Sequence, residues 1–463
     1  MLEFRRSFNC CKSFGCSNLG RVNSPDYTHD SYHLGFRALH CQRCGSYPPW
    51  VDDASVSQLL SQLLNQHFQP RVNTCPNCAP RLLIDQNPDF QHYGRTGAGN
   101  PRVRCKSCHK VYTLGRWTVN EHMPAILLAL ASATPPLQTM QQLEIAPKIY
   151  YQLLNRLAQG LRSWSREQEL KLKQRPVQRL LSESQVLKFC GNRGLWTLAS
   201  ADADSGYILL HSHNASHQPM SVEGVYQSKP DSRLAQFDEL SILQALRQRY
   251  DQTMQRSHFE ELNLGELQSL RCGYLAKPAL LAYAHFQALR VFSDSHQHIH
   301  HYLEQESCIR GAALMGCAER IHTKLAEVFY IIRHQQGETA IPPEGHNVGW
   351  WNDRWYPDEF GAYCPITSRH HYTHPFKLAA ARACEDFFSY VRQQVPTQLK
   401  SLAPLESLFE VARCLFNYCH SDNLGQSPAM RAGLVSECLT PEQLLNTVAA
   451  ALAGEEAGSK KGD

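Results

Sequence analysis

The chain has 463 residues, a net charge of +4 and 43% hydrophobic residues, enough for roughly two to four domains, each with its own core. No stretch approaches the ~18 consecutive apolar residues of a membrane span, and the amino-terminal segment lacks the apolar run and cleavage site of a secretory signal. These features argue against a membrane or secreted protein, and we expect a cytoplasmic one.

Charge is divided unevenly along the chain. Residues 1–185 hold 22 Lys and Arg against 12 Asp and Glu, a balance of +10, whereas the rest holds 24 against 30, a balance of −6. Zinc sites of four thiolates carry about −2 each, so two of them would leave the front half basic. A basic front and a mildly acidic rear predict a DNA-contacting front and a separate rear unit.

The first predicted elements are two zinc ribbons, at residues 1–50 and 73–116, joined by a connecting helix at 51–72. Their cysteines form two quartets, in which three of the four positions repeat at an offset of 64 residues: Cys11, Cys16, Cys41 and Cys44, then Cys75, Cys78, Cys105 and Cys108. Four thiolates enclose one Zn²⁺, and short knuckles present two sulfurs at the required reach. A disulfide framework is the alternative, but it is disfavoured in a reducing compartment. Cys10 stands beside Cys11 and could replace it as the ligand.

Basic and aromatic side chains surround the last knuckle. They are Tyr93, Arg95, Arg102, Arg104, Lys106, Lys110 and Tyr112. Cations with aromatic rings between them suit a phosphate backbone. The alternative is a solvated hairpin turn without a ligand.

A helix-turn-helix unit is predicted next, at residues 117–162. Three segments with helical periodicity, at about 121–132, 137–143 and 147–160, are separated by turn and Pro signals. The third helix would enter the major groove. It carries Lys148, Tyr150, Tyr151, Asn155 and Arg156. The charged residues 163–185 predict a linker helix.

The rear segment offers three acids at the ends of predicted elements. A strand ends at Asp202, a short strand at 289–292 precedes Asp294, and Glu319 lies near the start of a helix. Three such carboxylates can bind two Mg²⁺ ions about 4 Å apart and support phosphodiester chemistry. A helix after Asp294 would place His296 and His300 on one face, but with no third ligand nearby in the sequence we expect surface or phosphate-contacting histidines.

The order of these elements resembles that of DDE-type insertion-sequence transposases. The segments that carry the resemblance are CPNC with YGRTGAGNPRVRCKSCHKVYT, then ADADSGYILLH, VFSDSH and the closing FNYCHSDNLGQSPAMRAGL. The resemblance implies an α/β RNase H-like catalytic domain at 186–400 with an insertion at about 335–376. A C-terminal helical segment at 401–453 and a flexible tail at 454–463 would follow.

The resemblance also implies an activity and its residues. Asp202, Asp294 and Glu319 would be the Mg²⁺-binding triad. The alternatives for the third acid are Glu327, about two turns further along the same predicted helix, and Glu385, on an acidic helix after the insertion. The implied reaction is cleavage and transfer of DNA strands. It would be carried out in the bacterial nucleoid by a homodimer or larger oligomer on double-stranded transposon ends and target, with no membrane partner.

Two other readings share part of this pattern. A domesticated or inactive relative would keep the ribbons and the helix-turn-helix and act as a zinc-dependent, sequence-specific DNA-binding protein. An RNase H-like nuclease would cut DNA without joining a 3′ end to a target. If the three carboxylates lie together in the structure, an enzyme is favoured. If they lie apart, the DNA-binding protein is favoured.

Overall fold

The structure is a computed structural model, and residue contacts divide the chain into two compact units. One unit holds residues 1–60 and 176–385, and the other holds residues 61–175 and 386–463. The structure describes residues 4–5, 7–30, 37–68, 75, 90–97, 99–113, 117–174, 178–189, 193–216, 220, 274–292, 298–304, 307–333, 356–358, 361–367, 382–394 and 402–458.

The described chain contains both strands and helices, and most of them occur in runs of one kind. The strands are β1 Tyr27–Asp30, β2 Ala38–Cys41, β3 Phe90–Arg95, β4 Pro101–Cys105, β5 Val111–Thr113, β6 Gln178–Phe189, β7 Arg193–Asp202, β8 Ile208–His213, β9 Ala215–Ser216, β10 Tyr274–Leu275, β11 Ile299–Glu304, β12 Ala326–Arg333, β13 Tyr356–Asp358 and β14 Gly361–Pro365. The helices are α1 Asp53–His67, α2 Met123–Ala131, α3 Pro136–Gln142, α4 Pro147–Leu170, α5 Pro278–Leu289, α6 Ser307–Gly316, α7 Ala318–His322, α8 Ala383–Gln394, α9 Leu402–Cys419, α10 Pro428–Arg431 and α11 Pro441–Gly458. Among these described helices, none is both long and apolar enough to cross a membrane.

A seven-stranded mixed sheet forms the centre of the first unit. Its order is β13-β14-β12-β11-β6-β7-β8. Strands β6, β11 and β12 run parallel, with Tyr302 of β11 lying between Leu181 of β6 and Phe329 of β12, and the other pairs are antiparallel. The predicted α/β class is therefore confirmed at the level of a mixed sheet with helices.

Helix α5 covers one face of this sheet. Its His285 is fully buried, with Nε2 2.8 Å from the Ser200 hydroxyl and Nδ1 2.8 Å from the Ser212 hydroxyl. Nearly every residue of α5 is buried, so the helix lacks the polar stripe that reveals amphipathic helices. The short strand predicted at 289–292 is therefore wrong, because Leu289 ends this helix and Arg290–Phe292 form a 3₁₀ turn.

The amino-terminal thiol unit packs on α5 and α7 within the same compact unit. The rings of Phe8 and Tyr283 lie 5.0 Å apart, and His322 Nε2 lies 2.7 Å from the backbone oxygen of Leu19. Gly20 has φ +67°, and a Cβ there would lie 2.6 Å from the Cβ of Ala318. The predicted separation of a front and a rear along the chain therefore fails for residues 1–60, which associate with the sheet.

The second unit is mainly helical. Helix α9 packs along α4, and α11 packs against α2 and α4. Arg413 joins α9 to α4 from a fully buried position, with Nη1 2.7 Å from Glu169 Oε1 and Nη2 2.7 Å from Glu410 Oε1. The Arg413–Glu169 pair crosses between the two helices, and such a buried charge-assisted hydrogen bond favours one alignment of them.

Helices α2, α3 and α4 begin where the sequence predicts. Each has Pro in its first turn, where the missing N–H is not needed. Ala133 and Glu144 adopt φ of 53° after α2 and α3, which ends both helices with left-handed residues. The three segments predicted as helices at 117–162 are thus helical.

Several predicted boundaries need correction. The linker helix at 163–185 is wrong beyond residue 174, because Gln178–Phe189 form the extended strand β6 between β7 and β11. The insertion at 335–376 contributes β13 and β14 to the sheet edge, and the rest of it lies outside the described residues. Helix α11 continues to Gly458, into the predicted tail, of which 459–463 are not described.

Candidate functional site

The first thiol cluster brings together all four predicted ligands of the first quartet. Cys11 Sγ lies 3.5 Å from Cys44 Sγ, and Cys16 Sγ lies 3.8 Å from Cys41 Sγ. A tetrahedral ion with Zn–S bonds of about 2.3 Å requires sulfur–sulfur separations of about 3.8 Å. The four thiols therefore have the spacing to hold one metal ion such as Zn²⁺.

Donors around this cluster point at its sulfur atoms. The backbone N–H of Ser13 donates to Cys11 Sγ at 3.5 Å, and that of Asn18 donates to Cys16 Sγ at 3.4 Å. Burial by itself raises the pKa of Cys44, but hydrogen bonds with Ser46 and Cys11 lower that pKa to about 6. Such donors favour thiolates, the form that binds metal, and they oppose burial, which raises the pKa of Cys11 and of Cys16.

Cys10 takes no part in the cluster. Its Sγ lies 3.3 Å from Met315 Sδ and is fully buried. The alternative left open by the sequence is thereby decided in favour of Cys11, which is grouped with Cys16, Cys41 and Cys44.

The second thiol cluster contains Cys75, Cys105 and Cys108. Cys75 Sγ and Cys108 Sγ lie 3.4 Å apart, and all three sulfurs lie within 4.8 Å of one another. The fourth predicted ligand, Cys78, lies outside the described residues. Three thiols at these separations also have the spacing to bind Zn²⁺.

A three-stranded antiparallel sheet, β3-β4-β5, carries the predicted basic residues beside this cluster. Along β4, Val103 and Cys105 are buried, whereas Arg102 is exposed and Arg104 is half-exposed. The Arg102 guanidinium lies 5.9 Å from the ring of Tyr93, which is 54% exposed. Because side chains alternate along β4, Arg102 and Arg104 lie on the face opposite the Cys105 thiol, together with the Tyr93 ring that Arg102 contacts.

Helix α4 exposes part of the side predicted to contact DNA. Lys148 and Asn155 are exposed, as is Gln152 between them, and these residues share one helical face at i, i+4 and i+7. Tyr150 is fully buried, so its predicted contact with DNA is wrong. Arg156 is half-buried and donates to the Thr118 hydroxyl at 2.6 Å. Tyr151 is half-buried.

Asp202 ends β7, as predicted, and lies opposite Leu180 of β6. Its carboxylate is 8% exposed and accepts a hydrogen bond from the Ser205 hydroxyl. Burial raises the pKa of Asp202, and the Ser205 hydrogen bond partly offsets that effect. Because Asp202 is two residues from Ser200, its side chain is on the sheet face that α5 covers.

Among the described residues, no other predicted acid shares a potential metal-ligand group with Asp202. Glu319 lies near the start of α7, as expected, and is exposed, whereas Asp294 falls outside the described residues. No described group of three or more His, Cys, Asp or Glu ligands within 4.8 Å includes Asp202 or Glu319. The triad therefore stays a prediction.

The two alternative third acids are far apart in the fold. Glu327, expected on a helix, lies on strand β12 and faces His300, which is also on a strand, β11. The predicted helix that would align His296 with His300 is therefore wrong at His300. Glu385 lies in the first turn of α8, as its interpretation as a helical acid required.

Glu385 belongs to an acidic group that the sequence did not reveal. Arg333 Nη2 lies 2.6 Å from Glu183 Oε1 and 3.6 Å from Glu385 Oε2. Glu304 ends β11 and accepts a hydrogen bond from Ser184, the neighbour of Glu183 on β6. These acids lie toward the carboxyl ends of parallel strands, where open α/β sheets bind ligands. Only the pairing of β6 with β11 brings residues this far apart in sequence together.

Comparison with known proteins gave no relatives. A scan against protein-family models, a search of curated proteins and a search of solved structures each found no match for this chain. Its function must therefore be argued from its own residues.

Proposed function

We propose that the chain is a zinc-dependent DNA-binding protein with the organisation of a DDE-type transposase. In this proposal the two thiol clusters are zinc ribbons, and α2–α4 form a helix-turn-helix. The observation that carries it is the alternation on β4, where Cys105 turns toward the thiol cluster while Arg102 and Arg104 turn outward. A metal-held sheet would thus present fixed cations to phosphates.

Helix α4 would add a second DNA contact, to base edges in the major groove as well as to phosphates. Lys148, Gln152 and Asn155 form an exposed polar face on α4, and the buried Tyr150 anchors the helix to the rest of the unit. Amide side chains of this kind can read adenine in the major groove, and a lysine contacts phosphate. In this proposal the basic sheet positions the DNA and α4 supplies sequence preference.

DNA binding by the full chain tests this function. Binding to the chain's own flanking DNA is measured by fluorescence anisotropy over a range of salt concentrations, with and without a zinc chelator. Arg102→Ala is expected to weaken binding to all sequences and to lower the salt slope by about 1, and Gln91→Ala, an exposed change on β3, is the matched control. Zinc-independent binding, or equal salt slopes in both variants, would contradict the proposal.

A second candidate function is Mg²⁺-dependent DNA strand cleavage and transfer. It is favoured by the strand order β8-β7-β6-β11-β12, in which three antiparallel strands are followed by two parallel ones. This is the order expected of an RNase H-like sheet, the fold that the resemblance implies. Carboxylates at such a sheet would hold two Mg²⁺ ions that activate the nucleophile and stabilise the leaving oxygen.

Two sets of acids compete for this role. The set predicted from the sequence is Asp202, Asp294 and Glu319, of which Asp202 lies near the amino end of β6. The other set is Glu183, Glu304 and Glu385, toward the carboxyl end of β11, where Arg333 pairs with two of the carboxylates. In the second set, Arg333 would have to leave before two Mg²⁺ ions could bind, because its guanidinium already neutralises those acids.

Cleavage and joining assays in Mg²⁺ separate these alternatives. Asp202→Asn, Asp294→Asn, Glu183→Gln and Glu304→Gln are compared with the wild type on flanking DNA. Loss of activity in the Asp variants alone supports the first set, and loss in the Glu variants alone supports the second. Cleavage without joining would indicate a nuclease, and a wild type that binds but does not cut would leave DNA binding as the function.

A further inference from the structure

Three potential metal ligands meet on the face of the central sheet opposite α5. His298 precedes β11, His300 lies within it, and Glu327 is the register partner of His300 on β12. One ligand atom from each lies within 4.8 Å of those of the other two. The thiol clusters contribute no residue to this group.

The separations suit a first-row divalent ion. His300 Nε2 lies 3.1 Å from Glu327 Oε2, and the rings of His298 and His300 lie 4.7 Å apart. Nitrogen and oxygen ligands at about 2.0–2.2 Å from a divalent ion lie about 2.8–3.1 Å apart in octahedral coordination and about 3.3–3.6 Å apart in tetrahedral coordination. An ordinary His–Glu ion pair would use His300 and Glu327 alone, whereas here His298 supplies a third donor.

The surroundings hold the central imidazole in place. The His300 ring meets the edges or faces of Tyr302 at 6.4 Å and Phe329 at 5.8 Å, both nearly perpendicular. His300 and Glu327 are 19% and 14% exposed, so the group is half-buried yet open to solvent. Aromatic packing on one side and access on the other are suited to a metal site with open coordination positions.

Charges nearby do not oppose a cation. Arg179, the partner of His300 on β6, has its Nε 3.4 Å from Asp204 Oδ1, which compensates its charge.

We propose that His298, His300 and Glu327 form a third metal site, for a divalent transition-metal ion such as Zn²⁺. Two imidazoles and one carboxylate on one side leave coordination positions for water or a substrate oxygen. The site differs from the thiol clusters in ligand chemistry, and it uses none of the acids around Arg333. It shares Glu327 with the alternatives for the third acid of the predicted triad, and it stands independently of the proposed DNA binding.

Cobalt titration of the full chain loaded with only two equivalents of Zn²⁺ tests this site. The thiol clusters bind these two ions more tightly than a site of two imidazoles and one carboxylate, so added Co²⁺ is expected to give an absorption spectrum without a sulfur-to-metal band that saturates at one ion per chain. His298→Gln and Glu327→Gln should abolish this signal. Matched controls are His122→Gln and Glu437→Gln, which lie elsewhere in the sequence and should bind as the wild type does.

The outcomes are distinct. A saturable signal lost in both site variants and kept in both controls supports the site. No saturable signal in the wild type, a spectrum with the sulfur band, or a signal that persists in His298→Gln would overturn it. His298 lies outside β11, so its variant decides the question if Glu327→Gln proves unfolded by circular dichroism.

Discussion

Cys10 Sγ lies 3.3 Å from Met315 Sδ, while the adjacent Cys11 joins the thiol cluster through Cys44. Successive residues of an extended segment point to opposite sides, so two neighbouring cysteines can serve two different surroundings. Cys10 packs against helix α6, and Cys11 faces the other thiols. The first thiol cluster is thereby attached to the unit that contains the central sheet.

Replacement of these neighbours should have opposite effects on metal content. We expect Cys11→Ser to lose one zinc ion per chain and to destabilise the first unit, because the metal contributes folding free energy to so small an element. Cys10→Ala should keep the ion and lose only packing, about 1–2 kcal/mol. Zinc per chain by mass spectrometry, with thermal unfolding, checks both; loss of zinc in Cys10→Ala would reverse the ligand assignment.

Two residues of α4 should separate stability from DNA binding. Tyr150 is fully buried, and its hydroxyl has no hydrogen-bond partner among the described residues. Removing an unsatisfied buried hydroxyl should be favourable, so Tyr150→Phe is expected to stabilise the chain by about 1 kcal/mol without weakening DNA binding. Urea unfolding and anisotropy measure the two quantities.

Gln152→Ala is the counterpart on the exposed face of the same helix. It should leave stability unchanged within about 0.5 kcal/mol and weaken binding to flanking DNA by about 1–3 kcal/mol. Unchanged affinity in Gln152→Ala would remove α4 from the DNA contact, whatever the behaviour of the sheet β3-β4-β5.

Arg333, which pairs with Glu183 and Glu385, should contribute to the folding stability of the first unit. Glu183 is 6% exposed and lies 2.6 Å from Arg333, so Arg333→Met would leave a buried carboxylate without this cation. We expect a loss of about 3 kcal/mol. Arg382→Met is the matched control, since Arg382 pairs with Glu385 at 3.7 Å in an exposed position, and its loss should cost at most about 0.5 kcal/mol. Equal unfolding midpoints in urea for the two variants would contradict this ranking.

His285 should make the stability of the first unit fall in acid. Burial, with a smaller effect of His211, lowers the pKa of His285 from 6.5 to about 3. The unfolded chain therefore binds more protons between these values, so the stabilisation is complete above pH 6.5 and is lost as the pH falls toward 3. At pH 5 the loss from this residue is about 2 kcal/mol.

Urea unfolding at pH 7 and pH 5 measures this dependence. The difference between the two pH values should be smaller in His285→Gln than in the wild type, even if the variant is less stable at both. His122→Gln, a change in the other unit, should keep the wild-type difference. An undiminished difference in His285→Gln would show that this imidazole is not the acid-sensitive group.

The elements that the sequence identified are those whose signals are local. Cysteine spacing predicted the first thiol cluster apart from the choice between Cys10 and Cys11, since a knuckle needs only a few residues to present two sulfurs. Pro in the first turn and helical periodicity located α2, α3 and α4. The strand end at Asp202 was likewise readable, because the end of a strand before a turn is a local signal.

Elements without a local signal were missed or misread. Helix α5 is buried on nearly all sides, so its sequence has no amphipathic period. Strand β6 carries polar residues such as Glu183, whose ion-pair partner Arg333 lies on the distant strand β12. Glu327 was expected on a helix because the sequence does not show that residues 326–333 extend beside β11.

By itself, the sequence determined which chemistry is present: two thiol quartets, a basic surface, and acids and histidines in a rear α/β unit. Only the tertiary structure decided which of these groups meet. Parallel pairing of β11 with β12 sets Glu327 beside His300, and pairing with β6 brings Glu304 near Glu183. Register and side-chain face depend on hydrogen bonds between segments far apart in the chain, and a shift of one residue would turn every side chain to the opposite face.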